Sequence, residues 1–266
     1  MKLTFVGCGS AFNKLSLQSN MLLEAESGKK MLIDCGSYAH IGLLSALGIN
    51  ETNYADEIDS IYISHQHGDH IDGLEEIAFC TYFNPNAPKI ALYCEQYLMH
   101  RIWDESLKGG LGSVQGKVMH LTDYFDCRPL NVNVINQWEG INFELVQTLH
   151  VMNGFEFVPS YGLMIKEEKV NAKNIFLTTD TQHCPNQIQD FYDMADVIFH
   201  DCETAPYFSG VHARYDELKT LNKETKKKMW LYHYQPEPPQ MKTAREDGFR
   251  GLVTRGQSFK YEVKNE

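Results

Sequence analysis

At 266 residues, 43% of them hydrophobic and 22% charged, the chain has the length and composition of one large globular α/β domain with a sizeable core. A formal net charge of -11, relieved only by one short run of lysines at 226–228 beside Lys223, argues against a surface built to grip a long nucleic acid, and that run reads as a solvated helix face. Seven scattered cysteines with no CxxC pair fit a reducing compartment, and no apolar stretch approaches the ~18 residues of a membrane helix or forms a signal h-region, so a cytoplasmic protein without membrane contact is expected.

Leu3-Thr4-Phe5-Val6 predicts a first strand, ended by Gly7-Cys8-Gly9-Ser10. That Gly-x-Gly lacks the third glycine and the helix of a dinucleotide loop. Residues 19–24 and 30–36 read as a hairpin around Ser27-Gly28. Asp34, where the second of these strands ends, is either a turn residue or a carboxylate that orients a metal-bound histidine. Helical spacing runs from 38 to 49 and stops at Gly48, a C-cap. Ile58 to Ile63 predicts a strand, and the polar Ser64-His65-Gln66-His67-Gly68-Asp69-His70 a loop at its tip. A helix follows from Ile71 to Phe83, a strand at 90–93, an amphipathic helix from Glu95 to Leu107, and a flexible loop at Gly109-Gly110-Leu111-Gly112. Strands are expected at 132–135, 143–146 (with Thr148-Leu149-His150 after it), 163–165 and 174–177, the last leading to Asp180. A short helix at 190–194, a strand at 196–200, a helix at 215–221 and a strand at 229–233 complete the chain. With no repeat and no linker, 1–266 reads as a single domain of two layered sheets with helices outside.

The loop at 64–70 places three imidazoles and one carboxylate within six positions. These are ligand types that zinc and similar divalent ions prefer, and packing gives no reason to gather them. His150, Asp180 and His233 each follow an apolar β-like run, and strand ends are where loops of layered α/β folds converge. Any one of the three is more often an ordinary structural residue. Together with His65, His67, Asp69 and His70 they make seven potential ligands, enough for two metal ions. His40, His100, His120 and His183 lack such a setting and read as structural or exposed.

The segments Gly7-Cys8-Gly9-Ser10-Ala11-Phe12, Leu32-Ile33-Asp34-Cys35-Gly36 and Ser64 to His70 resemble the metallo-β-lactamase superfamily over essentially the whole chain, and the Gly-Ser-Ala-Phe opening resembles its ribonuclease Z-like branch. The resemblance implies an α/β fold of the αββα four-layer sandwich type. It implies His65, His67 and His150 on one metal, Asp69, His70 and His233 on a second, and Asp180 bridging both; the cofactors would be two zinc ions, or manganese or another divalent metal. Phe199-His200-Asp201-Cys202-Glu203-Thr204 resembles imperfectly that branch's His-Glu-Ala-Thr segment. Gly210-Val211-His212 stands where the branch has a Gly-His step, here 21 positions before His233. Catalytic roles thereby pass to Asp69 and to His212, the latter assisting the leaving group or the transition state.

The chain departs from the tRNA-processing members in having no long tRNA-clamping arm. Only 30 positions separate His150 from Asp180, and strands and a turn occupy them. Compact, arm-less members include cyclic-nucleotide phosphodiesterases such as the anti-Pycsar proteins, which the continuation Asp72-Gly73-Leu74-Glu75-Glu76 is similar to. The resemblance thus implies hydrolysis of small cyclic nucleotides such as cyclic CMP and cyclic UMP. It further implies a homodimer with an interface in segment 71–112, and residence in the cytoplasm, that of the host if phage-encoded. A ribonuclease Z-type endonuclease, a lactone or ester hydrolase, and a non-catalytic nucleotide binder remain as alternatives. Aromatic residues between Tyr82 and Trp103, or Tyr207-Phe208, are candidates to stack a base.

Overall fold

The computed structural model describes residues 1–50 and 54–261. Short apolar runs pair first with their sequence neighbours. β1 (Lys2–Gly7), β2 (Asn20–Glu24) and β3 (Lys30–Ile33) form an antiparallel meander. Beyond β3 the connections become helical crossovers, which parallel pairing requires. β4 (Ser60–Tyr62) and β5 (Ala91–Glu95) add in parallel, and so does β8 (Asp126–Leu130) after a small ribbon of β6 (Ser113–Val114) and β7 (Lys117–Val118).

A second meander opens the second sheet with β9 (Ile135–Trp138), β10 (Ile141–Met152) and β11 (Phe157–Glu167), and β12 (Ile175–Leu177) pairs antiparallel to β11. β13 (Val197–Asp201), β14 (Met229–Tyr232) and β15 (Gly251–Leu252) extend it in parallel. β16 (Ser258–Lys260) returns to pair with β1. Each seven-stranded sheet therefore has an antiparallel half and a parallel half. In the parallel halves, successive strands deliver their C-terminal loops to the same edge, where open α/β sheets place their sites.

The sheets pack face to face through aromatic rings. Phe5 of the first sheet lies 5.1 Å from Phe199 and 5.4 Å from Tyr232 of the second, and Phe259 lies 4.8 Å from Phe199, ring centre to ring centre. Rings of this size each bury a large apolar area between the sheets, beside the Leu, Ile and Val side chains of the strands. The Tyr62 hydroxyl ties the sheets nearer the site by donating to the Tyr161 carbonyl at 2.6 Å. Helices cover the outer faces. α1 (Ala39–Leu47) crosses β1 and β2 and ends at Gly48 in the left-handed conformation. α2 (Gly68–Ile71) and α3 (Leu74–Tyr82) follow the histidine loop, and α4 (Gln96–Arg101) follows β5. Over the second sheet, Phe191 and Tyr192 of helix Pro185–Met194 pack on Phe176 at 5.7 and 6.1 Å. The expected helix–sheet–sheet–helix layering is present.

Three local expectations are corrected. Gly109 to Gly112 is not a loop. α4 passes through a wide turn at Ile102–Leu107 into a helical turn at Lys108–Leu111, anchored by fully buried Leu111 and by the Tyr124 hydroxyl on its carbonyl at 2.8 Å. Gly110 serves close approach, since a Cβ there would fall 2.0 Å from a Glu75 carboxylate oxygen, whereas one on Gly109 would meet open space. The strand expected at 132–135 starts at Ile135: Asn133 is left-handed at φ 61° and Val134 and Ile135 are exposed, so no burial extends the strand backwards. His150 does not end its strand. β10 continues to Met152, and the pairing slips by a residue between Leu149 and Val151, a bulge that re-aims the side chain between them. Among the described residues, no helix is long and apolar enough to cross a membrane.

Candidate metal centre

The C-terminal ends of β3, β4, β12, β13 and β14 bring Asp34, the loop 64–70, Asp180, Asp201 and His233 to one edge, and the bulge in β10 adds His150. Asp34, Thr179 and His233, immediately beyond or close to these strand ends, have φ of 60°, 53° and 64°. Non-glycine residues adopt this region uncommonly, and three of them gathered at one edge of the sheets show a backbone held by its surroundings. The loops also interlock. The Cys35 amide donates to the His70 carbonyl and the Gly73 amide to the Cys35 carbonyl, both at 2.8 Å. Gly36 must be glycine, because a Cβ would fall 2.0 Å from the Asp69 carbonyl oxygen.

His67 Nδ1 lies 3.1 Å from His65 Nε2 and 3.0 Å from His150 Nε2. Nitrogens bonded at roughly 2.0–2.1 Å around a tetrahedral ion stand about 3.3 Å apart, so this spacing suits a shared cation. Asp69 Oδ2 lies 3.3 Å from His70 Nε2 and 3.4 Å from His233 Nε2. Between the two groups sits Asp180: its Oδ2 is 3.4 Å from His70 Nε2, 3.5 Å from His233 Nε2, 3.7 Å from His65 Nε2 and 3.9 Å from His150 Nε2. Hydrogen bonding does not explain the convergence, since buried Asp180 Oδ1 and His70 Nε2 have no hydrogen-bond partner. An orphaned buried polar atom is costly and calls for a ligand. The donor set and its spacing fit divalent metal ions, and all seven residues singled out in the sequence as ligands are in these two groups.

The nitrogens facing away are held as well. Asp34 Oδ2 accepts from His70 Nδ1 and from the Ser64 hydroxyl, each at 2.8 Å, and that hydroxyl lies 3.0 Å from His65 Nδ1. One carboxylate thereby orients an imidazole of each group, which favours the second of the two readings of Asp34. His150 Nδ1 donates to the Val211 carbonyl at 2.9 Å. His212 joins the site through Asp201: its Nδ1 donates to Asp201 Oδ2 at 2.7 Å and lies 3.8 Å from Asp180 Oδ2. Asp201 also accepts the Thr181 amide at 2.9 Å, and its other oxygen lies 3.4 Å from His233 Nδ1. Sequence reasoning gave Asp201 no role. Its signals were its place in the segment 199–204 that resembles the branch's His-Glu-Ala-Thr, and its position at the end of a buried strand beside that of Asp180. His40, His100, His120 and His183 stay outside the groups.

Burial pulls His65 and His67 below the ordinary imidazole range and brings His150 to about 4. Burial acts the same way on His70 and His233, but Asp180 with Asp69 and Asp34 around the first, and Asp180 with Asp201 and Asp69 around the second, outweigh it and raise both. Burial would raise Asp180, yet the His233 and His70 charges hold it well down. A deeply buried anionic centre ringed by imidazoles favours positive charge, so binding of a cation there would be coupled to proton release.

A family model described as "Anti-Pycsar protein Apyc1" matches residues 1–259. The chain is 34% identical over 242 residues to the anti-Pycsar protein Apyc1 of Bacillus phage vB_BveM-Goe7, covering 88% of each. It is 35% identical over 236 residues to that of Paenibacillus harenae, covering 88% of this chain and 90% of the relative. Among solved structures, the metallo-β-lactamase fold protein YhfI from Bacillus subtilis superposes with a TM-score of 0.71 at 18% identity, covering 97% of this chain and 98% of that one. A diphosphatase of the PhnP family superposes at 0.72 with 19% identity over 100% and 99%, and the short form of human tRNase Z at 0.67 with 18% over 99% and 100%. These likenesses show a metallo-β-lactamase fold.

Proposed function

The chain belongs to the Anti-Pycsar protein Apyc1 family, and on that premise we propose that it is a dinuclear zinc phosphodiesterase that opens small 3′,5′-cyclic nucleotides to nucleoside monophosphates and so counteracts Pycsar-type antiphage defence. The coarser statement, a metal-dependent hydrolase of the metallo-β-lactamase fold, already follows from the donor groups and the fold. The observation that carries the finer one is Asp180, with one oxygen 3.4–3.9 Å from four imidazole nitrogens, two from each group. A carboxylate so placed spans a pair of sites, and a pair suits a phosphate with its several oxygens.

His65, His67 and His150 would hold one ion, Asp69, His70 and His233 the other, with Asp180 between them. When bound, such ions supply Lewis acidity toward phosphate oxygens and an activated water near neutral pH. The rest is done by the chain's own groups. Asp69, less buried than the other candidate ligand carboxylate, would orient the attacking water and accept its proton. His212 donates a proton to the departing ribose oxygen. Its Nδ1–H is held by Asp201, which leaves Nε2 as the donor toward substrate and stabilises the ring while it is charged. Burial works against that charge, and Asp201 outweighs burial, raising His212 above its ordinary range. A small substrate agrees with the chain between His150 and Asp180, all of it spent on β10, β11, β12 and their turns.

The test is turnover of a panel of 3′,5′-cyclic nucleotides by purified protein, with and without chelator. Chelator-sensitive hydrolysis is expected, and no turnover of any member would refute the proposal. Cleavage of precursor tRNA in a parallel assay would favour the ribonuclease Z-type reading. Sizing of the same preparation tests the homodimer that the resemblance implied.

A further inference from the structure

The loop between β13 and the helix Tyr215–Leu218 carries His212 and two consecutive aromatic residues, Tyr207 and Phe208. Its ends are fixed to the centre. The Thr204 amide and hydroxyl both donate to Gln235 Oε1, at 2.6 and 2.9 Å, and the Gln235 amide donates back to the Thr204 hydroxyl at 3.1 Å. Gln235 lies two residues beyond His233. At the other end, the Ala213 amide donates to the carbonyl of Thr181, next to Asp180, and the Glu203 amide to the Ala213 carbonyl, both at 2.7 Å.

Held at both ends, the loop nevertheless leaves its rings in solvent. Tyr207 is 62% exposed and Phe208 66%. Phe208 has one partner on the loop: the Arg214 guanidinium lies 5.8 Å from its ring centre. A third exposed ring, Phe12, is 84% exposed on the neighbouring loop, where the Ser10 amide and the Asn13 side chain both donate to the carbonyl of Tyr234, the residue after His233. Phe12, Tyr207 and Phe208 are thus exposed rings on two loops that are both tied to the strand end carrying His233, and core packing uses none of them. A ring held in place before the ligand arrives loses little freedom on binding.

We propose that Phe208, with Tyr207 beside it, is the platform on which the nucleobase of a cyclic nucleotide stacks while its phosphate occupies the centre. The proposal rests on the phosphodiesterase reading above, and it names how that site holds the part of the substrate that does not react. A phosphate beside His212 carries its base one ribose away, and the rings lie four and five positions from His212 on the same anchored loop. Every base offers a π face, so a stacking platform binds pyrimidines and purines with little discrimination.

The test compares wild type, Phe208→Ala and Phe208→Trp on cyclic CMP, cyclic AMP and a base-free control, 1-O-methylribose 3′,5′-cyclic phosphate. Phe208→Ala is expected to raise KM for both nucleotides by about tenfold or more, leave kcat within about twofold, and leave the control unchanged. Phe208→Trp retains the wild-type KM. An unchanged nucleotide KM in Phe208→Ala, or an equal rise for nucleotide and control, overturns the proposal. If wild type hydrolyses none of the three compounds, the phosphodiesterase reading fails by itself. Equilibrium dialysis of the cyclic nucleotides then decides the stacking: weaker binding by Phe208→Ala than by wild type supports it, and equal or absent binding overturns it.

Discussion

Replacing Asp201 by asparagine changes almost no volume and removes one buried charge. The side chain is fully buried, so solvent does not screen that charge. Its Oδ2 accepts from His212 Nδ1 at 2.7 Å and from the Thr181 amide at 2.9 Å, and its Oδ1 lies 3.4 Å from His233 Nδ1. An amide oxygen can keep the first two bonds. Its NH2 group must then point at His233 Nδ1, donor against donor, because His233 needs its proton on Nδ1 if Nε2 is to serve as a ligand. The imidazole escapes by moving that proton to Nε2, where it faces Asp69 and Asp180 and no longer offers a lone pair. Loss of a partner that orients a ligand typically costs 10–100-fold in metal affinity or activity. A hydrogen bond to a charged group contributes roughly 1.5–3 kcal/mol, on the order of 10–150-fold, and this substitution weakens the one at His212. The assay is metal content by mass spectrometry against free zinc, followed by kcat/KM at saturating metal. We expect affinity at the Asp69–His70–His233 group to fall about 10–100-fold and kcat/KM to stay low when the metal is restored, because His212 has lost its charge partner. Thermal unfolding shows whether the fold is intact. Metal affinity and kcat/KM both within about twofold of wild type would show that Asp201 orients neither histidine.

Asp180→Ala should remove the element shared by the two groups, lowering turnover roughly 100-fold or more while nucleotide binding persists in equilibrium dialysis. A chelator should lower the unfolding temperature of wild type and have less effect on this variant, since a ligand stabilises only the state that binds it. His200 gives a pH dependence outside the centre. Buried, with Nε2 at 2.6 Å from the Tyr192 hydroxyl and Nδ1 donating to a carbonyl, it is brought to about 4 by burial. The unfolded chain takes up a proton below about 6.5 that the folded chain refuses until about 4, so stability is complete above that window and falls as pH drops through it, by up to roughly 3 kcal/mol. Urea unfolding at pH 7 and pH 5 should show this loss in wild type and a smaller one in His200→Gln. Phe199→Ala, at the junction of the two sheets, should cost about 3–5 kcal/mol in the same measurement without changing KM.

The residues of the loop 64–70 are legible in sequence because they are close in sequence: three imidazoles and a carboxylate in six positions need no fold to be noticed. The apolar runs were legible for a similar reason, since strand length and spacing are local properties, and most strands among the described residues fall where those runs predict. His150, Asp180 and His233 were visible only as residues near strand ends. Parallel pairing of β12, β13 and β14, and a bulge in β10, bring His150 and His233 each within 4 Å of Asp180, across 30 and 53 positions of chain, a result of crossovers that no local pattern encodes. Asp34 stayed undecided between turn and orienting carboxylate because both demand the same residue at the same place. Its left-handed backbone and its bond to His70 Nδ1 exist only in the folded chain. Asp201 lay in a family-like segment, but its role came from tertiary structure, since a carboxylate between two histidines, 11 positions from one and 32 from the other, is defined by distance in space. The glycines at 109 and 110 show the converse. Local propensity said loop, and the burial of Leu111 together with close approach to Glu75 made helix, because packing energy exceeds the roughly 1 kcal/mol by which glycine disfavours a helix.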